Sequence, residues 1–218
     1  GKGNNWTPVN FGGSVALDNP IASGALPILN TTQGGTQAGI GVRTDANAAN
    51  LVLALPLVGS NNDVSNLINS GSTTKAFTAN GNAASSAQSN FYGGSFYFDG
   101  NGDYLSASST SDFALGTNDW TVEYYAYPTS TTQYQRHFYL IGSNANQIEG
   151  IYANSSGISF GKTNVFGETA VNNPLNQWNH YALVHDSTNM RLYINGIQVI
   201  TSSSNFADEN KSLHIGYS

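Results

Sequence analysis

From residue 50 onward, no window of a dozen residues places its apolar side chains at helical spacing, which leaves room for short helical turns only. What recurs instead is the two-residue period of a strand with one buried face. Trp120, Val122, Tyr124 and Ala126 alternate with Thr121, Glu123 and Tyr125, so they fall on one side of a pleated strand. Asn195-Gly196 sits between Arg191–Ile194 and Ile197–Ile200. That pair marks a hairpin, because a type I′ turn needs positive φ at both central residues. Other predicted strands are Leu51–Val58 (interrupted by Pro56), Ser95–Phe98, Tyr104–Ala107, residues 137–142 and 148–152, Trp178–His185 and Leu213–Tyr217. Eight or more short strands separated by Gly, Asn and Asp clusters predict an all-β chain folded as an antiparallel β-sandwich of jelly-roll type.

Residues 1–50 have a different texture. They are polar and small-residue stretches broken at Gly12-Gly13, Asn19-Pro20 and Gly34-Gly35, and their most apolar piece, Ala25–Leu29, contains Pro27. Proline cannot donate to a sheet ladder, and fifty residues exceed an ordinary loop. The segment reads as an extended N-terminal arm for docking or assembly, with a flexible linker as the alternative. Residues 51–218 then form the sandwich.

Composition narrows the function classes. Only 9% of residues are charged while 39% are hydrophobic and 11% aromatic, so a core can form and the composition argues against disorder. Seven scattered basic residues against 13 acidic ones cannot build the stripe a phosphate backbone requires, so no nucleic-acid partner is expected. No apolar run is long enough for membrane insertion. The absence of cysteine removes disulfides and thiolate chemistry. The opening Gly1-Lys2-Gly3 shows no signal-peptide pattern, which suits a processed or trimmed chain.

Four stretches then stand in a telling order: Phe98-Asp-Gly-Asn-Gly-Asp-Tyr-Leu105, Asp119-Trp-Thr-Val-Glu-Tyr-Tyr-Ala-Tyr-Pro128, Trp178-Asn-His-Tyr-Ala-Leu-Val-His185 and Met190-Arg-Leu-Tyr-Ile-Asn-Gly-Ile-Gln-Val199. Together they resemble laminin G-like domains of the concanavalin A-like lectin/glucanase superfamily, over roughly residues 50–218. The resemblance implies a concanavalin A-like jelly roll. In the family a strand like Ser212–Tyr217 is usually followed by a further segment, so the sandwich is expected to lack its last strand unless the arm or another subunit supplies it. Within the arm, Gly24-Ala-Leu-Pro-Ile-Leu-Asn30 and Gly41-Val-Arg-Thr-Asp45 are similar in style to structural proteins of marine bacteriophages.

The superfamily includes glycosidases, whose two carboxyls lie about 5–9.5 Å apart. The nearest same-face pair here, Asp119 and Glu123, is four residues apart on a predicted strand, roughly 13 Å between Cα atoms. His180 and His185 are an odd number of residues apart and face opposite ways, while His137 and His214 are isolated. No catalytic residue is therefore assigned. Calcium is the candidate cofactor: Asp99, Asn101 and Asp103 imitate the start of a calcium loop. The simpler reading, preferred here, is a connecting turn whose Asn and Asp accept backbone hydrogen bonds. Asp63, Asp112 and Asp186 are looser alternatives.

For ligand binding, Tyr125, Tyr127, Tyr134 and Tyr139 cluster around one predicted hairpin beside the polar loop Thr129–Gln135, with Asn144, Asn146 and Gln147 nearby. An exposed tyrosine offers a flat apolar ring to a sugar face and a hydroxyl to its polar edge. The competing reading places about half of these rings in the core, as it does Trp120 and Trp178. The resemblances together imply a non-enzymatic virion structural protein, a capsid decoration or tail or fibre component located on the capsid surface or tail. Its lectin-like domain would meet host-surface glycans, its arm other virion subunits, and it is expected to be a homo-oligomer, by analogy a trimer. The alternatives are a glycan-binding module of a bacterial surface or secreted adhesin and, last, a glycoside hydrolase.

Overall fold

The computed structural model describes residues 47–90, 93–130, 134–143, 148–162 and 170–217. The expected arm therefore lies outside the described residues except for its last four. Twelve strands are described: β1 (Phe77–Asn80), β2 (Ala84–Ser86), β3 (Ser95–Tyr97), β4 (Tyr104–Thr110), β5 (Trp120–Ala126), β6 (Gln135–Ile141), β7 (Ile148–Asn154), β8 (Gly157–Lys162), β9 (Asn179–Asp186), β10 (Asn189–Ile194), β11 (Ile197–Ser202) and β12 (Lys211–Tyr217). Helical structure among the described residues is limited to α1 (Ser65–Ile68) and two single turns of 3-10 helix. No helix among the described residues is long and apolar enough to cross a membrane.

Two antiparallel sheets make the sandwich, one of six strands in the order β1-β4-β12-β6-β7-β8 and one of four in the order β11-β10-β9-β5. Their facing sides supply one core. Ala107, Phe138, Leu140, Ile151, Phe160 and Leu213 come from the larger sheet, and Tyr181, Leu183, Met190, Leu192 and Ile194 from the smaller. A fully buried Leu such as Leu183 or Leu192 contributes about 1.5–3 kcal/mol by leaving water. Trp120, Val122, Tyr124 and Ala126 all pack against this core, as the alternation requires. The Asn195-Gly196 turn has φ of 51° and 79° and brings Ile194 opposite Ile197, the predicted hairpin.

Two expectations fail. Leu51–Val58 is not a strand: Leu57 adopts φ of 55°, and the run is tied down as a loop. The tie is Asp63, whose carboxylate accepts from the backbone N–H groups of Ala54, Ser65 and Lys75. β5 and β6 do not form the predicted hairpin; they belong to opposite sheets. The Asp99–Asp103 turn connects β3 to β4 as read, with β3 paired to β2 and β4 to β1 and β12. The strands the sequence reading missed are β1 and β2, short and poor in large apolar residues, and β8, whose core residues Ile158 and Phe160 stand between glycines.

β12 occupies the middle of the larger sheet, hydrogen-bonded to β4 on one side and β6 on the other. Lys211 and Glu149, both 1% exposed, meet at 2.7 Å beneath it. Glu149 also accepts from the N–H of Ala207, and Lys211 donates to the carbonyl of Ala207, which anchors the segment leading into β12.

Candidate functional site

On the side of the larger sheet away from the core, three adjacent strands present a cluster of rings. Leu105 and Ala107 point inward on β4 and Leu213 and Ile215 inward on β12, so strand alternation turns Tyr104, Ser106 and His214 outward. On β6 the same rule turns Tyr139 outward between Phe138 and Leu140.

Two irregularities extend the cluster. Gly216 has φ of 82°, a left-handed conformation that interrupts the alternation of β12 and places Tyr217 beside Tyr104 and Tyr139 instead of in the core. A Cβ at Gly216 would also fall 2.5 Å from the Phe98 ring. On β6 the pairing with β7 slips between Arg136 and Phe138. That bulge sends His137 inward against Tyr124 and Tyr181 while Arg136 joins the outward rings.

The cluster is close-packed. Tyr104 stacks on His214 at 5.1 Å with 15° between planes, and Tyr139 meets His214 edge-on at 4.8 Å. Tyr217 stands edge-on to both tyrosines, at 5.3 and 5.5 Å. The Arg136 guanidinium lies 5.4 Å from the centre of the Tyr139 ring and 5.3 Å from that of Tyr217, within cation–π range. The Tyr139 hydroxyl and His214 Nδ1 are 2.6 Å apart. Burial pushes the Tyr139 phenol well above its ordinary pKa, and burial likewise lowers that of His214, so both groups are neutral near pH 7.

Beside the rings, outward positions of β7 and β8 are glycine or small and are buried: Gly150, Gly161 and Ser159 all lie below the surface. Gly150 lies opposite Tyr139, and Gly161 opposite Gly150, so no side chain rises from either position. β6 and β7 approach closely there: a Cβ at Gly150 would lie 2.2 Å from the Phe138 carbonyl oxygen. One step along β7, Tyr152 is stacked by the exposed ring of Tyr134 at 5.9 Å. Among the described outward positions of the six strands there is no Asp or Glu; Glu149, on β7, faces inward to Lys211.

The four tyrosines singled out from the sequence do not form one patch. Tyr139 is 4% exposed and serves as the floor of the ring cluster. Tyr134 lies on the same side but in the separate stack with Tyr152. Tyr125 is on the opposite side of the molecule, half-exposed on the smaller sheet with its ring 4.9 Å from His180. Tyr127 sits at the end of β5, edge-on to half-buried Trp178 at 5.7 Å. Asn144, Asn146 and Gln147 lie outside the described residues. Trp120, expected in the core, packs against it between His185 and Phe206. Tyr104, Arg136, His214 and Tyr217 escaped the sequence reading. Alternation with Leu105 and Leu213 could have shown that Tyr104 and His214 point outward, but not that β4 and β12 are neighbours.

The Asp99–Asp103 turn is built on hydrogen bonds. Asp103 is fully buried; Oδ1 accepts from Asn82 N–H at 2.7 Å and Oδ2 from Asp99 N–H at 2.9 Å. Asp99 accepts from Asn101 N–H at 2.7 Å. Gly100 and Gly102 both take φ of 79°. The looser candidates are engaged as well: Asp63 by three backbone amides, Asp112 by Lys75 at 2.6 Å, and Asp186 by Arg191. No three His, Cys, Asp or Glu side chains converge among the described residues.

A lectin-like β-sandwich with an aromatic outer face is thus defined by the geometry. The family model described as the concanavalin A-like lectin/glucanases superfamily matches residues 99–218, more than half of the chain, and the chain belongs to that superfamily. No curated protein matches the sequence significantly. Among solved structures, a chain of botulinum neurotoxin type C, whose passage into cells depends upon interaction with two ganglioside molecules, is similar at a TM-score of 0.50 and 11% identity, covering 78% of this chain and 44% of its own. Domain 4 of an extracellular arabinanase from Geobacillus stearothermophilus, in complex with arabinotriose, gives 0.49 and 18%, covering 71% and 77%. A carbohydrate-binding module from Bacillus subtilis gives 0.41 and 15%, covering 64% and 87%.

Proposed function

We propose that this protein is a non-catalytic glycan-binding protein that receives carbohydrate on the outward face of its six-stranded sheet. The observation that carries the reading is the close-packed outward cluster of Tyr104, His214, Tyr139 and Tyr217 with the Arg136 guanidinium against it. The half-buried rings of Tyr104, His214 and Tyr217 suit a sugar ring, whose apolar face stacks while hydroxyls reach polar edges. The lack of an outward carboxylate pair on the described strands supports a binding role over glycoside cleavage, which requires two such groups. The likeness to carbohydrate- and ganglioside-associated structures agrees in fold.

The finer reading is a virion structural component, in a capsid decoration, tail or fibre, with residues 1–50 docking the sandwich to other subunits. Its support is the phage-like style of residues 24–30 and 41–45 and the arm-like texture of residues 1–50. A glycan array probed with the full chain, with and without calcium, tests the binding reading; an array without hits overturns it. Release of reducing sugar from any polysaccharide overturns the non-catalytic part. Light scattering of the full chain tests assembly: a homo-oligomer, trimer by expectation, supports the virion reading, and a monomer favours a module of a surface or secreted adhesin.

A further inference from the structure

Basic side chains are scarce in this protein, seven in 218 residues, and their partners are informative. Lys75 pairs with Asp112, Arg191 with Asp186 and Lys211 with Glu149. Arg136 differs. Among the described residues no carboxylate lies within salt-bridge distance of its guanidinium, which rests instead against the rings of Tyr139 and Tyr217. Ring contacts hold the planar group in place without occupying the in-plane N–H fork that matches a carboxylate. The outward positions around it are Tyr, His, Ser, Gly, Asn and Thr, without an acidic neighbour. The smaller sheet behaves oppositely: its outward Glu123 approaches His180 at 3.4 Å. In a chain of net charge −6, a fixed and uncompensated cation on the ring-lined face is a selective feature.

Resting on the glycan-binding reading, we infer that this face selects acidic glycans, with Arg136 receiving a ring carboxylate while the neighbouring tyrosines stack on the sugar. The chemistry required of the ligand is a carboxylate borne on a pyranose, as in hexuronate polymers or in terminal sialic acid. The overall negative charge opposes a polyanion at long range. That repulsion is screened over about 8 Å at physiological ionic strength, so the local contact decides the outcome there.

The test compares retention of the full chain on immobilised polygalacturonate, on the same polymer with its carboxylates methyl-esterified, and on a sialylated oligosaccharide with its asialo counterpart. All are run near physiological salt. One charged hydrogen-bonded contact corresponds to roughly tenfold in affinity or more. The expected result is therefore at least about tenfold preference for one acid form over its neutral partner, abolished in Arg136→Gln and reduced in Arg136→Lys. Circular dichroism of both variants establishes that they are folded; Arg136→Lys keeps the charge and serves as the second variant if Arg136→Gln is not. Preference in the polygalacturonate arm alone assigns a uronate, and in the sialylated arm alone a sialate. Equal retention of acid and neutral forms, or preference unchanged in both variants, overturns the inference while leaving glycan binding intact. No retention on any carbohydrate overturns both.

Discussion

The hydroxyl of Tyr139 and Nδ1 of His214 lie 2.6 Å apart, a hydrogen bond that joins neighbouring strands across 75 residues of sequence. Tyr139 is buried and His214 half-buried, so the bond fixes the outward ring cluster as well as pairing two polar atoms. Tyr139→Phe removes the hydroxyl and leaves the imidazole nitrogen short of a partner. We expect a loss of about 1–2 kcal/mol in urea denaturation, with the sheet otherwise intact. A variant as stable as the parent would mean that water replaces the hydroxyl at no cost.

His137 makes stability depend on pH. Its ring faces the core, hydrogen-bonded to the Tyr124 hydroxyl at 2.9 Å, and burial pushes its pKa down from 6.5 to about 4. The unfolded chain therefore gains this proton at a higher pH than the folded chain. The stabilising contribution is complete above pH 6.5 and drains away as the pH falls towards 4. The full effect is of order 3 kcal/mol. His214, shifted in the same direction, adds to it. Unfolding free energies measured between pH 8 and pH 4 should fall more gently in His137→Gln than in the parent. Parallel curves would remove His137 from the account.

Lys211 and Glu149 give a contrast between single and double replacements. Removing one partner strands a charge beneath β12, which costs about 3–5 kcal/mol. Replacing both with apolar residues removes the need for either. Lys211→Met and Glu149→Gln should each lower the unfolding midpoint sharply, and Lys211→Met combined with Glu149→Leu should recover most of the loss. A double variant as unstable as the worse single one would show that the contacts to Ala207, not the charge, matter most.

At the Asp99–Asp103 turn both oxygens of Asp103 are already used by the amides of Asn82 and Asp99. Asp103→Ala should cost about 2–3 kcal/mol by leaving two amides unsatisfied. Millimolar calcium and EDTA should give the same melting temperature. A rise with calcium that disappears in Asp99→Asn would instead establish an ion at this turn, because a ligand that binds the folded state raises its stability by mass action.

Much of the sandwich is legible in local pattern. The alternation Trp120–Ala126 and the Asn195-Gly196 pair depend only on neighbours in sequence, and both are realised as read. Leu51–Val58 misleads because an apolar run carries no information about Asp63, which captures Ala54 N–H and holds the run as a loop. The ring cluster escapes for a related reason. Tyr104 and His214 stack although more than a hundred residues separate them, and only the strand order makes them neighbours. Tyr125 and Tyr139 stand much closer in sequence yet face opposite sides of the molecule, because the chain changes sheets between β5 and β6.

The place of β12 between β4 and β6 also governs when the ring cluster can come into being. Until residues 211–217 have left the ribosome, β1-β4 and β6-β7-β8 are two separate ribbons, each with an unpaired edge. Tyr104 then has no His214 to stack on, and Tyr139 has no hydrogen-bond partner. The nascent chain must keep two adhesive edges from pairing with other molecules while it waits for one late strand. Closing the sheet joins segments made far apart in time, which makes folding slow by topology and makes the candidate binding face wait on a strand made more than a hundred residues after Tyr104.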